Sequence, residues 1–206
     1  MNFSMQSQNL TLFTPAEAAV LSQQSLKAVN NAIDKKTVAA QRRGGSRVLD
    51  EQAVVYLALE RDLSRDTTPA FRRRLSAEIA SSPRRRVVTV GALMLDLRAP
   101  RREIKERIAQ LRRAARLVTV DPETMGGQPV FRGTRVPVHL IAELLRLGET
   151  PERLLVDYPR ITAEMVRLAP IYATAHPQRG RPLKQPWHDQ EPIAVWRLPL
   201  TGPDAP

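Results

Sequence analysis

The sequence predicts a mainly α-helical fold with small β elements, an α+β chain, and three observations predict it. Capping residues followed by apolar positions at helical spacing recur along residues 14–63 and again along 137–174. Between and beside them lie short β-like stretches punctuated by paired glycines, Gly44-Gly45 and Gly126-Gly127. A chain of 206 residues that is 42% hydrophobic can bury one large core or two small ones, and the two separate helical regions favour two.

The first helix is expected over residues 14–23, where Thr14 is the N-cap, Pro15 the first helical residue and Glu17 the partner that completes a capping box. A second, over Ser25 to Lys36, is capped by Ser25 and carries Leu26, Val29 and Ile33 on one face; Lys27, Asn30, Asn31 and Lys35 fall on the other. Two short helices joined by a tight link make a helix-turn-helix, whose second helix presents polar groups to a major groove. Thr37 to Gln41 is expected as a strand, Arg42-Arg43-Gly44-Gly45 as a turn and Ser46 to Leu49 as the returning strand, a wing with two arginines at its tip. Asp50 caps a helix through Leu63, with Val54, Leu57 and Ala58 inward.

The order helix, helix, wing, helix is that of a winged helix-turn-helix, and the stretches TPAEAAVLSQQSLKAVNNAID and RRGGSRVLDEQAV resemble the MerR and excisionase-like group. That resemblance implies DNA contacts from Ser25, Lys27, Asn30, Asn31 and Lys35 on the helix and from Arg42, Arg43 and Arg47 on the wing. The chemistry agrees: Asn pairs with adenine N6/N7, and Arg with guanine O6/N7 or with phosphate, each good bidentate contact being worth about 1–3 kcal/mol.

Charge is unevenly placed. The net +11 divides into +1 over residues 1–60, +10 over 61–116 and zero over 117–206. Such a basic block attracts a polyanion by counterion release, log K falling by about 0.9 per phosphate contact per decade of salt, unless it is only a solvated surface. Within it, Val87 to Leu97 reads as a buried strand, and Pro100 opens a helix whose Ile104, Ile108, Leu111 and Ala115 form one stripe.

Residues 118–137 read VTVDPETMGGQPVFRGTRVP, the most specific stretch in the chain. Gly126-Gly127 and Gly133-Thr134 are turns bracketing the strand-like Val130-Phe131, and Pro129 stiffens the approach. The spacing G-x-x-x-x-G-K-[ST] is missing, which argues against a nucleotide cradle. Three helices follow: Pro137 to Gly148, Pro151 to Tyr158 capped by Thr150, and Ala163 to Thr174 capped by Thr162. The last two, joined at Tyr158-Pro159-Arg160, have the spacing of a second helix-turn-helix.

With Asp121-Pro122-Glu123, Gly126-Gly127, Pro129, Gly133-Thr134-Arg135 and Tyr158-Pro159 in order, residues 118–175 resemble the bacterial family catalogued as domain of unknown function four-three-three. Phe131 stands where that family is usually aliphatic. The resemblance implies a winged or homeodomain-like helical domain serving as antitoxin, grouped with the VapB type, and a PIN-like toxin as partner.

The expected division is therefore a winged helix-turn-helix DNA-binding domain at 1–66, a basic connecting segment at 67–117, the antitoxin-family helical domain at 118–176 and an extended tail at 177–206. The tail has no periodicity, yet it holds Trp187 and Trp196 beside Arg179, Arg181, Lys184 and Arg197. Trp and Arg are enriched at binding hot spots, so these six are the expected toxin contacts, the arginines facing an acidic nuclease site. A tail folded back on its own domain is the alternative.

Chemistry other than binding is not expected. The chain lacks cysteine, its three histidines (His139, His176, His188) are scattered, and no acid, base and nucleophile converge. Neither a metal nor a cofactor is called for, and His139 reads as a surface or packing residue. With no run of about 20 apolar residues and no signal-like start, the expected setting is the cytoplasm, away from membranes. The expectation is a homodimeric antitoxin that represses its own operon and holds a PIN-like toxin; the alternative is a regulator with no toxin.

Overall fold

A computed structural model describes residues 11–64 and 66–178. Thr14 opens α1 (Pro15–Ser22) with the capping box intact: its hydroxyl accepts from the Glu17 amide at 3.3 Å, and the Glu17 carboxylate accepts from the Thr14 amide at 2.7 Å. Gln23, in the left-handed region at φ 54°, ends the helix, and Ser25 caps α2 (Leu26–Asp34). Val29 and Ala32 of α2 are buried against the first core.

A hairpin follows, with β1 (Gln41–Arg43) antiparallel to β2 (Ser46–Val48). It differs from the expected wing in where pairing starts. The amides of Thr37 and Val38 donate back to Ala32 O to close α2, so Thr37 to Ala40 are not strand and the ladder begins at Gln41. The two-residue turn is Gly44-Gly45, at φ 55° and 77°, because a tight hairpin turn needs positive φ at both central residues. Arg42 and Arg43 therefore lie in β1 and not in the turn. Phe13 and Leu49 then exchange two 2.8 Å backbone hydrogen bonds, tying the hairpin's exit to the entrance of α1. Asp50 caps α3 (Glu51–Leu63), whose Val54, Val55, Tyr56 and Leu57 are fully buried.

Thr68 and Pro69 start α4 (Pro69–Ser81), a helix hidden in the sequence behind its arginines although the cap and the leading proline are both present. The run expected as one buried strand is a hairpin, β3 (Val87–Val90) with β4 (Leu93–Asp96). Gly91, at φ 63°, turns the chain; Val88 and Val90 face the core while Val87 and Thr89 face out, the alternation of a half-buried sheet. Next comes α5 (Arg98–Arg116), starting two residues before Pro100.

Short strands β5 (Val118–Thr119) and β6 (Val130–Phe131) pair around a 3-10 turn at Met125–Gly127. The last described helices are α6 (Val138–Arg146), α7 (Pro151–Asp157) and α8 (Ala163–Ala175), the three expected there. The whole is mainly helical with three two-stranded antiparallel sheets among the described residues. No described helix is long and apolar enough to cross a membrane.

Two apolar clusters hold the fold. One draws on α1–α5, on Val38 and Leu49 either side of the first hairpin and on the second hairpin, from Phe13 to Leu111, and takes in Ala175 of α8. The other is built from Ala114, β5, β6 and α6–α8. Helix α8 joins them: it packs on α1, α5, α6 and α7, and Ile171 borders both clusters. Helix α5 serves both through different faces. At about 100° per residue Ile104, Ile108, Leu111 and Ala115 share a stripe. The buried set nevertheless ends on Ala114, roughly 80° round the helix, because the second cluster lies on that side.

Candidate nucleic-acid interface and the glycine-rich motif

Lys27, Asn31 and Lys35 are exposed and spaced four apart, so they stack as one stripe along α2. Asn30 and Asp34 form the adjacent stripe, and it is turned toward the hairpin. Arg47 of β2 reaches across to both, its Nη1 donating to Asp34 Oδ1 at 2.6 Å and its Nη2 to Asn30 Oδ1 at 2.8 Å. The hairpin is thereby clamped beside the helix. Arg42 and Arg43 remain exposed on β1, without an ion pair or hydrogen bond to other described side chains.

The eight residues expected to contact DNA thus separate by role. Lys27, Asn31, Lys35, Arg42 and Arg43 are free to meet a ligand. Asn30 and Arg47 are engaged with one another, so one of the two lone pairs on the Asn30 carbonyl oxygen is committed to the hairpin. Ser25 is the N-cap of α2, its Oγ accepting from the Ala28 amide at 3.1 Å, and only its hydroxyl proton remains to donate. Behind the stripe, burial raises the Glu60 carboxyl above the ordinary range, with Arg72, then the Tyr56 hydroxyl and then Lys35 pulling it back.

Many of the arginines in the basic middle hold structure together. Arg101 donates to Ser82 O at 3.0 Å, to Gln52 Oε1 at 3.1 Å and to Pro83 O. Arg107 reaches Leu21 O at 3.0 Å, Arg112 reaches Thr11 Oγ1 at 2.9 Å, and Arg113 pairs with Glu164. These ties fasten α5 to α1, α3 and α8. Arg73, Arg74, Arg84, Arg86 and Arg102 make no such contact among the described residues.

The glycine-rich motif is largely architectural. Asp121 accepts from the Glu123 amide at 3.0 Å and from Thr124 Oγ1 at 3.1 Å, closing a turn around Pro122. Gly126 and Gly127 take φ of 63° and 80°, and Gly133 takes 75°, conformations that would strain a residue bearing Cβ. Pro129 O accepts from the Val138 amide at 3.0 Å, which locks the loop to the start of α6. Thr134 Oγ1 donates to Phe131 O at 2.9 Å and accepts from the Val136 amide at 3.0 Å. Phe131 itself is 1% exposed in the second cluster, which accounts for an aromatic ring at an apolar position. Of the motif's side chains, Arg135 is an exposed cation with no ion pair among the described residues; it lines a cleft with Arg160, beside the α7–α8 corner.

In the α7–α8 pair, α8 buries Met165, Val166, Leu168, Ala169, Tyr172 and Ala175. His139 is a packing residue: its Nε2–H donates to His176 O at 2.8 Å and its ring meets Tyr172 edge-on. His176 in turn stacks at 4.5 Å on Tyr172 and lies 4.0 Å from Glu17. Arg179, Arg181, Lys184, Trp187, His188, Trp196 and Arg197, the tail residues singled out in the sequence, lie outside the described residues.

Comparison with known proteins sets this motif in context. An 89-residue stretch is 46% identical to a protein of Sinorhizobium fredii (strain NBRC 101917 / NGR234) named "Uncharacterized protein y4eO", and it covers 43% of this chain and 40% of that one. The crystal structure titled Rv2018 from Mycobacterium tuberculosis aligns over 76% of this chain and 96% of its own at 17% identity, with a TM-score of only 0.32. Residues 118–173, running from β5 into α8 and holding the whole glycine-rich motif, match the family described as "Protein of unknown function (DUF433)".

Proposed function

We propose that the chain is the antitoxin of a type II toxin–antitoxin pair, acting by binding and not by catalysis. In this reading it binds operator DNA as a cytoplasmic homodimer through a winged helix-turn-helix, and it neutralises a PIN-like ribonuclease toxin through residues 177–206. The observation that carries the DNA half is the Arg47 clamp. It sets β1, with Arg42 and Arg43, alongside the Lys27–Asn31–Lys35 stripe, so one surface holds a helix for a major groove and a basic ribbon for the flanking backbone. The antitoxin half is supported by the DUF433 match over residues 118–173 and by the VapB-type grouping which that resemblance implies.

Co-expression of the chain with the reading frame adjacent to its gene tests the proposal. The expected outcome is a co-purifying complex that shifts operator DNA. Removing residues 177–206 is expected to abolish neutralisation of the toxin and to leave operator binding intact. Neutralisation by the truncated chain overturns the role given to the tail; operator binding with no captured partner makes the chain a stand-alone regulator.

A further inference from the structure

The excess charge of the middle segment is distant in sequence from α2, but the fold brings part of it alongside. Helix α4 packs on α3, and its Arg73, Ala77 and Ala80 form one wall of a groove of about 510 Å³. The opposite wall is the end of α2, the loop after it and β1. Lys36, Arg42 and Arg73 stand around this groove from three separate elements, each exposed and each without an ion pair among the described residues. The carboxylate that lines it, Asp50, is occupied as the cap of α3, accepting from the Ala53 amide at 2.8 Å. Small apolar side chains such as Ala77 and Ala80 keep the groove open.

A ring of unpaired cations over a shallow apolar floor suits a sugar–phosphate chain: phosphate oxygens meet the rim and the deoxyribose lies on the methyl groups. An uncharged ligand would leave three cations without a partner. We propose that this groove seats the DNA backbone next to the base pairs facing α2, so that α4, through Arg73, is a third DNA-contacting element. The inference rests on the DNA-binding reading above and extends it to a helix outside the helix-turn-helix and its wing.

Titration of mixed-sequence duplex DNA with the full chain at a series of salt concentrations tests it. Arg73→Ala, a helix-favouring change at an exposed position, is expected to lower the slope of log K against log salt by about 0.9 and to weaken binding several-fold at 0.1 M salt. Ala77→Glu, which puts a carboxylate on the α4 wall of the groove, is expected to weaken binding further. Arg102→Ala, on the separate basic surface of α5, is expected to leave the slope unchanged. Circular dichroism confirms that each variant is folded. A wild-type slope for Arg73→Ala, or an equal loss for Arg102→Ala, overturns the groove. If those results come with a lowered slope for Lys27→Ala, the α2 surface stands and α4 alone fails. If the wild-type chain does not bind duplex DNA, both readings fall.

Discussion

Replacing Arg47 or Asp34 with alanine separates a residue that positions the hairpin from one that touches DNA. Both side chains are partly exposed, 39% for Arg47 and 64% for Asp34, so their ion pair is worth about 0.2–1 kcal/mol. The bond from Arg47 to Asn30 adds roughly 0.5 kcal/mol in that half-exposed setting. Arg47→Ala, which loses both, is expected to cost about 1 kcal/mol, a fall in Tm of about 2–4 °C for a chain of this size. Asp34→Ala is expected to cost about half as much, and the double variant no more than Arg47→Ala, because all three remove one shared interaction. Hydrogen exchange of the amides from Gln41 to Val48 is expected to quicken in each. Operator binding then has to restore the hairpin's position, which weakens affinity by up to about fivefold without changing its salt dependence. Thermal unfolding, exchange and a salt series on the operator measure these effects. The reasoning is refuted if Asp34→Ala leaves Tm and exchange unaltered while Arg47→Ala lowers the salt slope by about 0.9, since that is the signature of a phosphate contact.

Three further outcomes are expected. Arg42→Ala with Arg43→Ala lowers the salt slope of operator binding by up to about two, read by fluorescence anisotropy. Leu168→Ala, at 1% exposure in the second cluster, costs about 2–5 kcal/mol in denaturant unfolding, and a loss below 1 kcal/mol places α8 outside the cooperative core. For Glu60, a folded carboxyl raised by burial holds its proton more tightly than the unfolded chain does. Stability is therefore lost as pH rises from the unfolded value of 4.5 through the raised folded one. Glu60→Gln is expected to remove that loss, so its unfolding free energy gains on the wild type across this window, as followed by urea titrations at stepped pH.

Part of the molecule is legible because its signals are local. Thr14 with Glu17, Ser25, Asp50, Thr150 and Thr162 each cap a helix by a hydrogen bond to an amide three residues on, and each is readable within a single turn of chain. The same applies to the Gly44-Gly45 turn and to the glycines of the motif, whose positive φ is a property of the residue type. Lys27, Asn31 and Lys35 were placed on an exposed face by helical period alone.

Other features depend on partners far along the chain. Arg47 looks from sequence like a third wing cation, and only the approach of Asn30 and Asp34 makes it a clamp. Ala115 has the right period to be buried, but the second cluster selects Ala114. The apolar run at Val87 to Leu97 suits a strand or a hairpin equally, and the choice falls to a hairpin that turns at Gly91 and inserts Val88 and Val90 into the core. Arginines 86 and 101 positions distant from their acceptors, Arg107 at Leu21 O and Arg112 at Thr11, look in sequence like surplus charge. Caps and periodicity alone locate α1–α3 and α6–α8 and the motif beside them, while α4 and the true start of α5 escape that reading. Which cations are tied up, which face of α5 is buried, and that α4 faces the end of α2 across a groove are settled by tertiary structure, because each depends on side chains that meet only once the chain has closed on itself.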